Sequence, residues 1–262
     1  MNTVKKALSI FLLLTLTFVC VNETKAQQRR KVTYLEGYDD APYHFGFLLG
    51  FDMMGYNLDL KDGFQQVVHP GNQLPADIQG TYDSYTISKV ENRTGPGFSV
   101  GVIGDLRLGK YFNLRLLPTL TLGADKTIDY TLNNGIPAKS KDRGAVFLEW
   151  PLHLKYRSKR YNNIGAYLLT GVNYKMYLSG TNKHMYTSGR PALVQIGFND
   201  VAFEIGAGYD FYNQWFKLGV EIKGSFGLLN LLKTDQQSTE FLYNAPLEAL
   251  KNNQLQLSFT FE

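Results

Sequence analysis

The sequence predicts an all-β fold, a single closed antiparallel barrel of eight strands with a filled polar interior. Three observations carry this. Apolar and polar residues alternate with a period of two in eight blocks, and no helical period of useful length appears before the last long connection. Each block runs about 9–13 residues, the length of a tilted strand that crosses a bilayer, against the ~5–6 residues usual in a soluble sandwich. The connections between blocks alternate long and short, the asymmetry of a barrel in an outer membrane.

Composition agrees. The 262 residues are 44% hydrophobic, 19% charged and 14% aromatic, with a mean hydropathy of −0.21. A helical membrane bundle needs several apolar runs of about 20 residues, and a disordered chain would be poor in aromatics. A net charge of +4 is too small to argue for nucleic acid.

The chain opens on an address. Lys5 and Lys6 precede the apolar run Ala7–Val21, and Thr24 and Ala26 put small residues at the −3 and −1 positions before Gln27. Residues 1–26 therefore read as a cleaved signal peptide. The only cysteine, Cys20, lies within it behind bulky Phe18 and Val19, so no lipid anchor and no disulfide are expected. Residues 27–43 read as a periplasmic N-terminal segment, and residues 44–262 as the barrel.

The blocks follow in order. Phe45, Phe47, Leu49, Phe51 and Met53 oppose Gly46, Gly50 and Asp52; Phe98, Val100, Val102, Leu106 and Leu108 oppose Ser99, Gly101, Asp105 and Arg107. Leu114, Leu116, Leu120 and Leu122 oppose Arg115, Thr119 and Thr121; Val146, Leu148, Trp150, Leu152 and Leu154 oppose Glu149, His153, Lys155 and Arg157. Ala166, Leu168, Val172 and Tyr174 oppose Gly171, Asn173 and Lys175, with Thr170 interrupting the apolar set. Val201 to Phe211, Phe216 to Ile222 and Leu255 to Phe261 complete the set, opposed by Glu204 and Asp210, by Lys217, Glu221 and Lys223, and by Gln254, Gln256, Ser258 and Thr260. A soluble barrel turns its apolar face inward. Here the polar sets are rich in glycine and in opposite charges, which suits a narrow interior, while Leu, Val and Phe suit lipid.

The inward acids are Asp105, Glu149, Glu204, Asp210 and Glu221, and the inward bases are Arg107, Arg115, Lys155, Arg157, Lys175, Lys217 and Lys223. Eight strands enclose only their own side chains, so these groups should neutralise one another and leave no open pore. Even strand number and short turns at Gly109–Phe112, Ser158–Asn163 and Asn213–Gln214 place both termini on the periplasmic side. Tyr111, Phe112, Tyr156, Tyr161, Tyr212, Trp215 and Phe216 gather at those turns as an interfacial girdle would. Phe261, second from the last residue, resembles the aromatic signal of barrels handled by the outer-membrane insertion machinery.

A two-residue loop at Asn213–Gln214 would oppose Asp210 to Lys217, Gly208 to Gly219 and Glu204 to Lys223, with Phe211 on Phe216 and Ile205 on Ile222. A slip of one residue would turn lysine to lipid, at about 2–4 kcal/mol. Pro118 and Pro151 fall inside strands, where bulges or kinks are expected. The long connections 61–96 and 228–252 either bind a partner or fold over the barrel mouth, and a short amphipathic helix is expected after Pro246.

No catalytic, cofactor-binding or metal-binding residues are assigned. His44, His69, His153 and His184 are scattered, with no HExxH, GxSxG, GxGxxG or Walker loop. His153 is expected to join the interior charges.

Certain segments carry a resemblance: HFGFLLGFDMM (44–54), PGFSVGVIGDLRLGKYFNLRLLPTLTLG (96–123), FLEWPLHLKYRSKRYNNIGAYLLTGVNYK (147–175) and FKLGVEIKGSFGLLNLL (216–232). They resemble the PorT family, called SprT in gliding bacteria, most specifically at EWPLHLKYRSKR and EIKGSFGLLN. The resemblance implies an outer-membrane component of the type IX secretion system, which exports cargo bearing a C-terminal sorting domain and serves gliding motility. It implies other secretion components and outer-membrane lipid as partners, no enzyme activity, no cofactor, no small-molecule substrate and no nucleic acid. The filled interior adds that such a protein would be an accessory, assembly or scaffold protein, not the conduit. A barrel enzyme, an adhesin and a small-solute channel stand as alternatives.

Overall fold

A computed structural model describes residues 32–71, 83–133, 135, 137–179, 196–232 and 244–262. The expected signal peptide, His184 and the middle of the 61–96 connection lie outside the described residues. Tyr34–Glu262 forms one compact unit.

Alternation becomes strand because residues two apart then share a face. After a 3-10 turn at Tyr38–Asp40 come β1 (Tyr43–Leu60), a second 3-10 turn at Phe64–Gln66, β2 (His69–Pro70), β3 (Ser84–Tyr85) and β4 (Ile87–Arg93). β5 (Gly95–Arg107), β6 (Phe112–Leu116), β7 (Thr119–Leu132) and β8 (Pro137–Arg157) follow. β9 (Ile164–Ser179), β10 (Asn199–Tyr212), β11 (Lys217–Gly227) and β12 (Leu247–Phe261) complete the chain. β1 pairs with β12 through Phe47↔Phe261 and with β5 through Phe47↔Val102, which closes the wall. From β12 the ring continues through β11, β10, β9 and β8 to β6 and β7, which lie end to end as one staggered wall strand, and then to β5. The eight expected strands therefore form the expected antiparallel ring. Phe45, Phe51, Val102, Leu152, Ile205 and Ile222 face outward, and Ser99, Arg115, Glu149 and Glu204 are buried inside. Thr170, the interruption on the outer face, donates its hydroxyl to the Glu204 carbonyl at 3.2 Å.

The strands outrun the blocks. β1 has 18 residues and β8 has 21. At about 3.3 Å per residue both exceed an apolar band about 25 Å tall, even when tilted. The excess lies at the long-connection end, where β4 adds to β7 through Val90↔Tyr130. Residues after Pro246 are strand, not helix. Asp59 pairs with Ala249 but Leu60 with Leu247, so β12 carries one extra residue. That bulge puts both Leu247 and Leu250 inside, an i, i+3 spacing that imitates a helix.

Pro118 and Pro151 produce no bulge. Gly101↔Thr119 and Gly104↔Leu116 share one register on the β5 side, and Leu116↔Leu152 and Thr119↔Glu149 share one on the β8 side. Pro118 still accepts from the Val102 N–H at 3.0 Å, and Pro151 from the Leu117 N–H at 3.1 Å. Pro151 cannot return a bond to the Leu117 carbonyl, and the Thr119 hydroxyl donates to it at 2.7 Å instead. A neighbouring side chain thus fills the missing rung, and the strand stays in register.

The β10–β11 hairpin corrects the expected pairing. Tyr212 opposes Lys217 and Asp210 opposes Gly219, two residues from the expected register. The loop is four residues long, closed by Asn213 N–H donating to the Phe216 carbonyl at 3.0 Å. Phe216 leaves the ladder to lie against Phe261, ring centres 5.9 Å apart. An even slip keeps every side chain on its face, so face polarity could not detect it. Gly219 is required here, since a Cβ would stand 2.1 Å from Thr260 Oγ1.

Candidate functional site

The candidate site is the filling of the barrel. Asp105, Glu149, Glu204, Asp210, Glu221, Arg115, Lys155, Lys175, Lys217 and Lys223 are all buried, as the alternation predicts. Three linked groups occupy the lumen. In the first, Glu204 accepts from Lys223 Nζ at 2.9 Å and Asn173 Nδ2 at 2.8 Å, with His153 Nε2 at 2.6 Å. The Glu204–Lys223 ion pair thus forms diagonally although Ser225 is the residue opposite Glu204. In the second, Glu149 accepts from Thr121 at 2.9 Å and Asn173 at 2.7 Å, and Lys175 lies 3.6 Å away. In the third, Arg115 reaches Asp105 at 3.1 Å, Glu262 at 2.7 Å and Glu221 at 3.6 Å. Lys217 binds the other Glu262 oxygen at 2.6 Å, and Lys155 binds Asp210 at 2.9 Å.

Tyr167 ties the third group to the wall. Its hydroxyl donates to Glu221 at 2.9 Å, and Lys155 Nζ sits 3.7 Å from its ring centre. Gly208 makes the room, because a Cβ there would be 2.5 Å from the Tyr167 hydroxyl. Charge-assisted bonds of this kind offset the desolvation of each group only while its partners remain.

Arg107 and Arg157, expected inside, sit at the foot of the barrel instead. Arg107 bonds Asp40 at 3.0 Å and Arg157 bonds Asp39 at 2.6 Å. Tyr212 also donates to Asp39 at 2.8 Å, and Arg160 binds the carbonyls of Tyr34 and Leu35. The segment before β1 is therefore strapped across the turn end. Burial pushes the Tyr38 phenol in this strap up to about 12, against the opposing pull of Lys217.

Sequence reasoning missed several members. Asp52 stood on the polar face of its block but was not counted among the charges; it accepts from Ser99, from Gln254 at 2.7 Å and from Gln256 at 2.9 Å. Parity with Phe261 marks Glu262 as inward. Asp39 and Asp40 gave no signal, being outside any periodic block. Lys126 sits higher, donating to Asn252 at 2.7 Å and lying over the rings of Tyr56 and Phe147 at 4.7 and 4.6 Å. Above it the interior turns apolar: Met54, Ile87, Ile128, Tyr130, Leu132 and Leu250 form one buried cluster. The long connections thus fold over the mouth where they are described.

Glu149, Glu204, Asp210, Glu221 and Glu262 are each engaged by donors from other strands, which suits mutual neutralisation better than turnover of a substrate. Among the described residues no three His, Cys, Asp or Glu side chains gather as a metal site. No helix among them is long and apolar enough to cross a membrane, which says nothing against crossing by strands.

Comparison with known proteins agrees with the architecture. Residues 25–233 match the family model described as "Outer membrane protein beta-barrel domain". No curated protein matches. Similar solved structures include the N-terminal β-barrel domain of Pseudomonas aeruginosa OprF, at 11% identity and TM-score 0.29, covering 82% of this chain and 97% of that one. Ail, the attachment invasion locus protein of Yersinia pestis, is at 11% and 0.33, covering 84% and 99%. OprG from Pseudomonas aeruginosa is at 10% and 0.35, covering 82% and 92%. These likenesses are too distant to inform function, and the assignment rests on the family match together with the lipid-facing wall: the chain belongs to the outer membrane protein beta-barrel domain family.

Proposed function

We propose that this outer-membrane barrel is a component of the type IX secretion system, acting as an accessory, assembly or scaffold protein and not as the conduit. The segments similar to the PorT family support the system. The charged filling supports the role, since a lumen closed by Arg115, Glu204, Lys223 and Glu262 passes no folded cargo. In this reading the signal peptide is removed after Ala26 and the segment from Gln27 to Tyr43 lies in the periplasm with both termini. The long connections face outside, no catalytic or cofactor site is present, and the partners are outer-membrane lipid and other secretion components. Deleting the gene tests it. Cargo with C-terminal sorting domains is expected to accumulate in the periplasm and to be released again on complementation; normal secretion in the deletion strain overturns the proposal. Planar-bilayer recordings of the purified protein are expected to show negligible conductance, and a steady open channel would restore the small-solute reading.

A further inference from the structure

Two surface features at the turn end of the barrel meet at Ser158, which lines both. The first is an apolar hollow of about 450 Å³ in the lipid-facing wall across β9, β10 and β11. Its floor is made by small residues. Ala166 opposes Tyr209, and Ala207 stands between Leu168 on β9 and Ile222 on β11. Leu168, Tyr209 and Ile222 are exposed, so the alanines leave a notch in an otherwise raised apolar surface.

The second is a pocket of about 310 Å³ at the adjoining turns, lined by Arg107, Lys110, Arg157, Lys159, Arg160, Asp39 and Asp40. Its acids are already taken, Asp40 by Arg107 and Asp39 by Arg157. Arg160 is occupied by backbone carbonyls. Lys110 and Lys159 are exposed, and neither has an ion pair among the described residues. Positive charge is therefore left over at headgroup depth, directly beside a hollow at acyl depth.

We infer that this composite surface binds one anionic glycerophospholipid, with an acyl chain in the Ala166–Ala207 notch and the phosphate between Lys110 and Lys159. The hollow alone would accept any chain, and the lysines alone would accept any anion. Together they select a molecule that is both, because basic pockets at the membrane surface favour anionic headgroups and buried chain methylenes add apolar contact. A zwitterionic headgroup brings an ammonium to a pocket with surplus positive charge and is disfavoured. The inference uses the barrel and its lipid-facing wall, and it does not rest on the secretion role.

Native mass spectrometry of the mature chain in neutral detergent tests it, with dioleoyl phosphatidylglycerol, dioleoyl phosphatidylethanolamine and inorganic phosphate as probes. Phosphatidylglycerol is expected to bind about tenfold more tightly than phosphatidylethanolamine, and a large excess of phosphate is expected not to displace it. Lys110→Gln with Lys159→Gln should abolish that preference, while Lys251→Gln at the opposite end leaves it intact. Ala207→Trp should fill the notch and weaken phosphatidylglycerol binding at least fivefold, with Ala166→Leu as the second variant. Folding of each variant is read from heat-modifiable migration. Equal binding of the two lipids, displacement by phosphate, or full binding by both notch variants overturns the inference.

Discussion

The two ends of the barrel interior obey opposite rules. Toward the turns, the lumen holds Arg115, Lys155, Glu204 and Glu262, and the outer wall is Leu, Val and Phe. Toward the long connections, the lumen holds Met54, Tyr130 and Leu250, while Asn57, Asp59 and Glu91 face out. The same strands run through both regions. Strand β1 changes between Asp52 and Met54, and β9 between Lys175 and Tyr177, without loss of parity. The switch follows the solvent outside. Where hydrocarbon surrounds the wall, the apolar side faces outward; where water surrounds it, the apolar side returns to the inside as in a soluble barrel.

Breaking the charged region should cost most. Glu204→Leu strands Lys223 and His153 in the lumen and is expected to destabilise the barrel by about 3–5 kcal/mol, read as a lower midpoint of urea unfolding in lipid vesicles. Leu250→Ala in the apolar region should cost about 2–4 kcal/mol, but locally. Protease should then cut the long connections while the membrane wall keeps its heat-modifiable migration; loss of both together would show that the two regions melt as one. Thr119→Val removes the hydroxyl that serves the Leu117 carbonyl and should cost about 1 kcal/mol, with Thr119→Ser restoring it in the same unfolding assay. Asp39→Asn should cost least, about 0.5 kcal/mol or less. Its effect should appear as faster proteolysis of the segment before β1 and should fade in high salt, where the buried pairs are unaffected.

The comparison also explains what could be read from the sequence. Every block in the lipid-facing region was legible, because parity there is enforced by the cost of turning Lys217 or Lys223 to hydrocarbon. The exact partner was not, since moving Asp210 from Lys217 to Gly219 changes no face; only the four-residue loop decides it. The region beyond the membrane reads as loops because its polarity is inverted, so Tyr56 does not extend the pattern set by Met53; in β7 the register shifts between Thr121 and Lys126, so Ile128 and Tyr130 keep the parity of outward Leu122 and yet lie inside. The strap at the foot was invisible for another reason: Asp39 and Asp40 reach their arginines across 118 and 67 residues of sequence and share no period with them. Within the candidate site, the charges were legible one by one, but their grouping around Asn173, Tyr167 and Glu262 depends on diagonal contacts that register alone does not give.

Gly208 shows how little slack the bore has. The space a methyl group would need there is taken by Tyr167, and Tyr167 holds Glu221, which lies against Arg115, which holds Glu262. The bore is thus spanned by a chain of side chains running from one wall to the other, like a strut cut to length. Widening such a tube to admit a solute would mean replacing the strut as a unit, so single substitutions along it are expected to lower stability without creating a passage.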